Sequence, residues 1–416
     1  LRKFKELEIA RYFYVIIMRD FTPFQHELLN TIKKNFDKPI PEAIEAAFLA
    51  TPRHQFVRKY FQQNGKVWEA VIIDETNLDL KLPLLYQDNT IPLMVDNEND
   101  NHSSISQPSF VLHMLDKLRL DPGHRVLEIG AASGWNAALM GALVGEKGHV
   151  CSVEIHPELA NSAREVIAAQ GVTNVEIIEG DGGEGYPPAA PYDRIIFTVG
   201  SYDLPAAFYR QIKDDGLLLM VIKNKGFGDN LFLFKKVEDH FVAIDSVACA
   251  FVSMQGKYRM SELRPIDITS IPFWPEIKDE IVAREPFWCG GKSLNNRTFL
   301  WKALGLISFL GIVEPSFEAF KVQGSDGDRE KLFFGVLDTD TRSVAVFNDE
   351  DKLIGYGNTT ALDRLRRQMQ LWFDLGMPGA SCFKLEAFPI GTGLQIGSNQ
   401  WITERRDTKY LWTLDV

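Results

Sequence analysis

The sequence has 416 residues, 45% hydrophobic and 24% charged, with a formal net charge of −11. That length predicts two domains, and the composition is that of an ordinary soluble globular chain. The acidic balance argues against a nucleic-acid surface, which needs a basic stripe, though a local basic patch remains compatible with it.

The most apolar runs, 13–18 and 303–313, are too short to span a bilayer and read as buried elements. Residues 1–20 alternate charges with aromatics and lack a signal-peptide cleavage pattern, so the expected location is the cytoplasm. Cys151, Cys249, Cys289 and Cys382 are far apart, and the eight histidines form no ligand pattern. Thiols in a reducing compartment and no metal site are the expectation.

In chain order, residues 22–62 carry apolar positions at helical spacing (Phe24, Leu28, Leu29, Ile32, then Ile44, Ala47, Phe48). Thr51-Pro52 should end the second helix, because a residue before proline avoids the α region. Residues 67–100 read as irregular, with a polar surface loop over 96–101. From Pro108 the pattern becomes regular. Strands at 125–129, 149–154, 175–179, 194–199 and 216–222 alternate with helices at 109–118, 136–144, 157–170 and 204–212. Strands separated by helices of about 10 to 15 residues predict a parallel, doubly wound α/β sheet. Apolar segments 231–236 and 248–254 should complete its edge. Beyond Lys257 the prolines Pro265, Pro272, Pro275 and Pro286 interrupt the pattern. A helix at 300–310, strands at 331–337 and 343–347 and a helix at 359–375 then predict an α+β module. The expected division is a helical segment at 1–103 packing on a catalytic domain at 104–256, followed by a module at 257–416.

Glu128-Ile129-Gly130 sits where a first strand ends and a helix begins, and glycine there lets backbone approach a nucleoside closely. The dinucleotide fingerprint would need glycines where this chain has Ala132 and Trp135, which disfavours a dehydrogenase. Glu154, at the end of the second strand, is placed to accept hydrogen bonds from ribose hydroxyls. Asp181-Gly182, at the end of the third, is placed to meet a base edge. A lone acid at such a position is as often a cap; the three strand ends in register carry the nucleoside reading.

Ser104-Ile105-Ser106-Gln107-Pro108, Val126-Leu127-Glu128-Ile129-Gly130, Gly180-Asp181-Gly182 and Ala190-Pro191-Tyr192-Asp193-Arg194-Ile195-Ile196 together resemble the protein-L-isoaspartate O-methyltransferase family. So does Ala50-Thr51-Pro52-Arg53-His54-Gln55-Phe56-Val57. The resemblance covers residues 40–256. It implies a Rossmann-like methyltransferase that uses S-adenosylmethionine, releases S-adenosylhomocysteine and esterifies an isoaspartyl or aspartyl carboxylate of a protein or peptide. The family's active-site serine falls on Ser106. Cofactor contacts are then expected from Ser104 and Ile105, which close over the site, from Glu128, Gly130, Ala132, Ser133 and Gly134, and from Glu154, Ile155, Asp181, Gly182 and Thr198.

Ala132 stands where the family has a glycine, an acidic asparagine-rich loop precedes Ser106, and about 160 residues follow the usual single domain. The long form resembles the branch that methylates ribosomally made peptides, including lanthipeptide-associated enzymes. It is also similar to long relatives that act as adaptors recognising damaged proteins. Six tryptophans of the last module (Trp274, Trp288, Trp301, Trp372, Trp401, Trp412) read as core rather than as a peptide groove. Arg364, Arg366 and Arg367 read as a solvated helix face. Neither nucleic acid nor membrane is an expected partner, and nothing in the sequence specifies the oligomeric state.

Overall fold

The structure is a computed structural model that describes residues 21–65, 67–96, 101–226, 229–259, 264–287, 296–322, 331–348 and 352–414. The apolar run 13–18, Cys289 and Trp288, and the tip of the polar loop at 97–100, lie outside those residues.

Its centre is a ten-stranded sheet. We label its strands β1 (Arg125–Ile129), β2 (His149–Glu154), β3 (Val175–Glu179), β4 (Tyr192–Ser201) and β5 (Ile212–Ile222). β6 (Asn230–Val237), β7 (His240–Ala248), β8 (Phe383–Pro389), β9 (Gln400–Glu404) and β10 (Thr408–Leu414) complete it. The spatial order is β9-β10-β8-β7-β6-β5-β4-β1-β2-β3. β3, β2, β1, β4 and β5 are mutually parallel, the pairing expected of strands with buried apolar centres joined by helical crossovers. β6 and β7 continue as antiparallel hairpins. Helices Pro108–Leu118, Trp135–Val144 and Pro157–Ala169 cover the sheet, so the predicted doubly wound α/β class holds.

Before the sheet lie the helices Thr22–Lys34 and Glu42–Ala50, and the second ends at the Thr51-Pro52 break that the proline argument places there. The Trp135 indole donates to the Thr51 carbonyl at 3.0 Å and its ring meets Phe48 edge-on, which docks this segment on the sheet domain.

Three expectations change. Residues 67–96 are not irregular: they hold a strand (Val67–Ile72), a helix (Leu78–Leu85) and Ile91–Asp96, which pairs antiparallel with Asn101–Ile105. The expected helix over 204–212 shrinks to Phe208–Gln211, with Pro205 near its start. Residues 249–254 are not an edge strand. They cross the ends of the parallel strands, bonded to Gly200 through its N–H to the Val252 carbonyl and its carbonyl from the Met254 N–H, both 2.8 Å.

The place beside β7 is taken instead by β8, through Phe241 opposite Ala387 and Val242 opposite Glu386, and β9 forms the sheet's edge. The chain beyond Lys257 therefore contributes three strands to the first sheet. It also forms a second, six-stranded sheet from 266–356, covered by the helices Asn296–Val313 and Thr360–Asp374. From Ala303 to Val313 the first of these is largely buried, as its apolarity predicted. No helix among the described residues is long and apolar enough to cross a membrane.

Trp372 and Trp412 are buried, their indoles donating to the Pro378 carbonyl and the Thr403 hydroxyl. Half-buried Trp274 and Trp401 pack edge-on against Tyr356 and Phe383. Arg364 bridges Glu314 and Asp338, and Arg366 bridges Glu285 and Asp363. Arg367 is exposed.

Candidate functional site

In an open parallel sheet, ligands bind outside the carboxyl ends of the strands where strand order reverses. β1 lies between β4 and β2, so the turn after Ile129 is that place. Gly130 leaves β1 at φ +103°, and a Cβ there would lie 2.6 Å from the Thr198 hydroxyl oxygen. Only a bare backbone fits. Thr198 Oγ1 donates to the Ile129 and Gly130 carbonyls at 2.9 and 2.6 Å, tying the β4 end to this turn. Ala132 holds φ +46°, and Gly134 at φ +81° opens the helix Trp135–Val144.

A cavity of about 540 Å³ lies over these strand ends. Ser104, Ile105 and Ser106 line one side, supplied by the strand Asn101–Ile105 and the residue after it. Glu128, Gly130, Ala132 and Ser133 line the floor, with Glu154 and Ile155 from β2, Gly182 after β3 and Thr198 from β4. Two predicted residues, Gly134 and Asp181, do not line it. Gly134 packs against Ala163 as the helix N-cap. The Asp181 carboxylate accepts the N–H groups of Gly183 at 2.9 Å and Lys257 at 2.7 Å.

Glu154 is buried, with one oxygen accepting the Ala132 N–H at 2.8 Å and the other the His156 N–H at 3.0 Å. Each carboxylate oxygen keeps a second lone pair for a ligand hydroxyl. Glu128 is fully buried and accepts from Asn136 at 2.7 Å and the Ser152 hydroxyl at 2.5 Å. Burial pushes its carboxyl up to about 7 despite those donors. Glu128 thus holds the floor together more than it faces outward.

Ser106 is not the N-cap of the helix Pro108–Leu118. That position is Gln107, and the first-turn N–H of Ser109 is satisfied by Asp88 at 2.8 Å. The Ser106 side chain is free of that duty and lines the cavity. Its carbonyl accepts a bond from Arg53.

Sequence reasoning missed the upper wall. Phe110 and residues 248–255 face the strand ends across the cavity, including Phe251, Val252, Ser253, Met254 and Gln255. Their apolarity was the signal, but it looked like a buried strand. A smaller cavity of about 190 Å³, lined by His102, Phe251, Val252, Ser253 and Gln255, adjoins the first.

His149, Cys151 and Glu176 also come within 4.8 Å of one another on β2 and β3, a proximity that chain spacing could not reveal. Burial pushes the Cys151 thiol up to about 11, which keeps it a thiol at neutral pH.

A nucleoside-bearing ligand is compatible with a cavity of this volume, with glycine positions that admit backbone approach and with a buried acid at the β2 end. The family model described as protein-L-isoaspartate(D-aspartate) O-methyltransferase matches residues 25–259, more than half of the sequence. A protein-L-isoaspartate O-methyltransferase of Ignicoccus hospitalis is 37% identical over 171 residues, covering 41% of this chain and 78% of that protein. One from Pyrococcus horikoshii is 34% identical over 222 residues, 53% of this chain and 88% of its own length. A solved protein-L-isoaspartate O-methyltransferase structure superposes over 87% of this chain and 96% of its own, with a TM-score of 0.52 and 24% identity. That likeness concerns the fold, and it extends beyond residue 259. By the match over 25–259, the chain belongs to the protein-L-isoaspartate O-methyltransferase family.

Proposed function

We propose that the protein is an S-adenosylmethionine-dependent carboxyl O-methyltransferase acting on isoaspartyl carboxylates of proteins or peptides. The observation that carries this reading is that Ser106 lines the same cavity as Gly130 and Glu154. In this reading the acceptor and donor sites share one chamber.

The bound sulfonium supplies an already activated methyl group. The acceptor carboxylate, with an ordinary pKa near about 4, is ionised at neutral pH, so no strong general base is needed. The chain's part is positioning and exclusion of water, worth about 7–11 kcal/mol in favourable cases. In this reading Glu154 accepts ribose hydroxyls, with Ile155 beside it, and Gly130, Ala132, Ser133 and Gly182 provide close backbone around the nucleoside. Thr198 fixes the turn that carries Gly130. Ser104 and Ile105 close the chamber, and the Ser106 hydroxyl donates to the acceptor carboxylate. Phe110, Phe251 and Met254 keep the reacting region apolar. Asp181 serves indirectly, by holding the chain at Lys257. A cytoplasmic location, a role in protein repair and the three-part division at 103/104 and 256/257 belong to the same proposal.

The test is transfer of labelled methyl from S-adenosylmethionine to an isoaspartyl peptide, read as a base-labile ester, with the aspartyl peptide as control. Ester on the isoaspartyl form alone supports the proposal. Ester only on a ribosomally made precursor peptide would support biosynthetic modification instead. Binding of S-adenosylhomocysteine with no ester on any peptide would support a non-catalytic adaptor.

A further inference from the structure

The wall at 252–255 has no sheet of its own to hold it beyond the single bridge between Gly200 and Ser253. The turn that succeeds it, Gly256–Tyr258, is held from two sides. On the motif side, Asp181 accepts the Lys257 N–H at 2.7 Å, and Lys257 Nζ pairs with Glu184 at 2.6 Å. Gly256 lies so close that a Cβ there would be 2.3 Å from the Asp181 carboxylate, and its φ is +76°. The buried ring of Tyr258 lies against Gly183, where a Cβ would meet it at 2.2 Å.

On the other side stands the turn between β9 and β10. Arg406 donates to the Lys257 carbonyl at 3.1 Å, and its guanidinium sits 5.1 Å from the Tyr258 ring centre. The Tyr258 hydroxyl donates to Asp407 Oδ2, which also accepts the Ala206 N–H at 3.0 Å. The Asp407 N–H in turn bonds Asp203 at 2.8 Å. Asp407 therefore ties together the segment after β4, 201 residues earlier at Ala206, and the segment after the cavity wall, 149 residues earlier at Tyr258.

We infer that Asp407 and Arg406 are positioning residues for the cofactor chamber: through Tyr258 and Lys257 they hold the 252–255 wall against Asp181 and the strand ends. The inference rests on reading the large cavity as the S-adenosylmethionine site. It assigns the far C-terminal hairpin to donor binding. The region beyond residue 257 is then part of the enzyme's cofactor site and not an appendage that only meets substrate.

The experiment measures S-adenosylhomocysteine binding by calorimetry, steady-state methyl transfer and hydrogen exchange, all on the full chain. Asp407→Asn keeps the size of the side chain but weakens its acceptor, and Tyr258→Phe removes the donor while keeping the ring. Both should weaken S-adenosylhomocysteine binding about tenfold. They should raise KM for the donor with kcat changed by less than about twofold. Amide exchange should quicken within 249–258. Arg364→Gln, which breaks the ion pairs to Glu314 and Asp338, is the control for a general loss of stability. It should lower Tm and leave S-adenosylhomocysteine binding unchanged. Wild-type protein that binds S-adenosylhomocysteine, with both clasp variants binding as tightly, overturns the inference alone. Equal weakening by Arg364→Gln also overturns it, since the effect would then be global. Wild-type protein that binds no S-adenosylhomocysteine removes the cofactor reading and this inference with it.

Discussion

Arg53 Nη2 donates a hydrogen bond to the carbonyl of Ser106 at 3.0 Å, across 53 residues of sequence. The same guanidinium serves the carbonyls of Leu85, Gln87 and Asn89 at 2.9, 3.1 and 2.7 Å, and it is 1% exposed. Burial pulls it down to about 9, yet it stays charged at neutral pH. Four carbonyls around one planar fork is an arrangement an ammonium cannot reproduce. Arg53→Lys should therefore loosen the Ser106 loop while keeping the charge. The expected outcome is a loss of about 2–3 kcal/mol of stability and a fall in kcat of about tenfold or more. S-adenosylhomocysteine binding should change less, because the strand-end contacts remain. Unaltered kcat in a folded Arg53→Lys protein would mean that the Ser106 backbone needs no such brace.

Removing the hydroxyl itself is a cleaner probe. Ser106→Ala leaves the Arg53 bond intact, because that bond is to the carbonyl. The helix Pro108–Leu118 keeps its Asp88 contact at Ser109, so its start should not fray. A hydrogen bond to a charged carboxylate is worth about 1.5–3 kcal/mol, or about 10–100-fold in kcat. Steady-state methyl transfer with an isoaspartyl peptide should show that loss with Tm unchanged. A loss confined to KM for the donor would instead place Ser106 with the cofactor.

The strand ends were legible because everything that defines them is local. Arg125–Ile129 and His149–Glu154 are short strands with apolar centres, buried almost throughout, each closed by a turn and followed by a helix, and local pattern reads such units directly. Glu154 and Gly130 followed from that phase. The failures have non-local causes. Residues 249–254 are apolar because they roof a cavity, and no pattern separates that from a buried strand. β8 to β10 join the first sheet more than 130 residues after β7, and the antiparallel pairing of Phe241 with Ala387 leaves no mark on the spacing. Asp181 looked like a ligand because an acid at a strand end is a common binding device. Its second partner is the Lys257 N–H, 76 residues away. The hairpin of Ile91–Asp96 with Asn101–Ile105 was hidden by Pro92 and by the polar residues at its turn.

Ala132 occupies a left-handed backbone position, φ +46°, in the turn after β1. A Cβ in that region costs about 1–2 kcal/mol, while glycine returns about 0.5–1 kcal/mol through the greater freedom of its unfolded chain. Ala132→Gly should therefore stabilise the protein by up to about 1.5 kcal/mol. The Ala132 N–H to Glu154 survives the change, since it is a backbone bond, so cofactor affinity should hold or improve. Thermal unfolding with and without S-adenosylhomocysteine measures both. A lower Tm for the glycine variant would show that the side chain makes contacts worth more than the strain.

Asp203 gives the fold a pH dependence whose sign can be stated. It is 1% exposed, one carboxylate oxygen accepts the Asp407 N–H, and the other, Oδ1, is buried without a hydrogen-bond partner. Burial pushes the carboxyl up to about 6 from an ordinary 3.8. The folded value lies above the unfolded one, so the fold favours the protonated acid. That contribution is fully present below about 3.8 and is lost as pH rises through about 6, with a total of about 3 kcal/mol. Asp203→Asn keeps an acceptor for the Asp407 N–H and removes the titration. Relative to wild type the variant should gain stability as pH is raised from about 4.5 to about 7.5. Denaturant melts across that window give the difference directly. A constant offset between the two proteins across that window would mean that burial does not raise the Asp203 carboxyl, its open oxygen being reached by water.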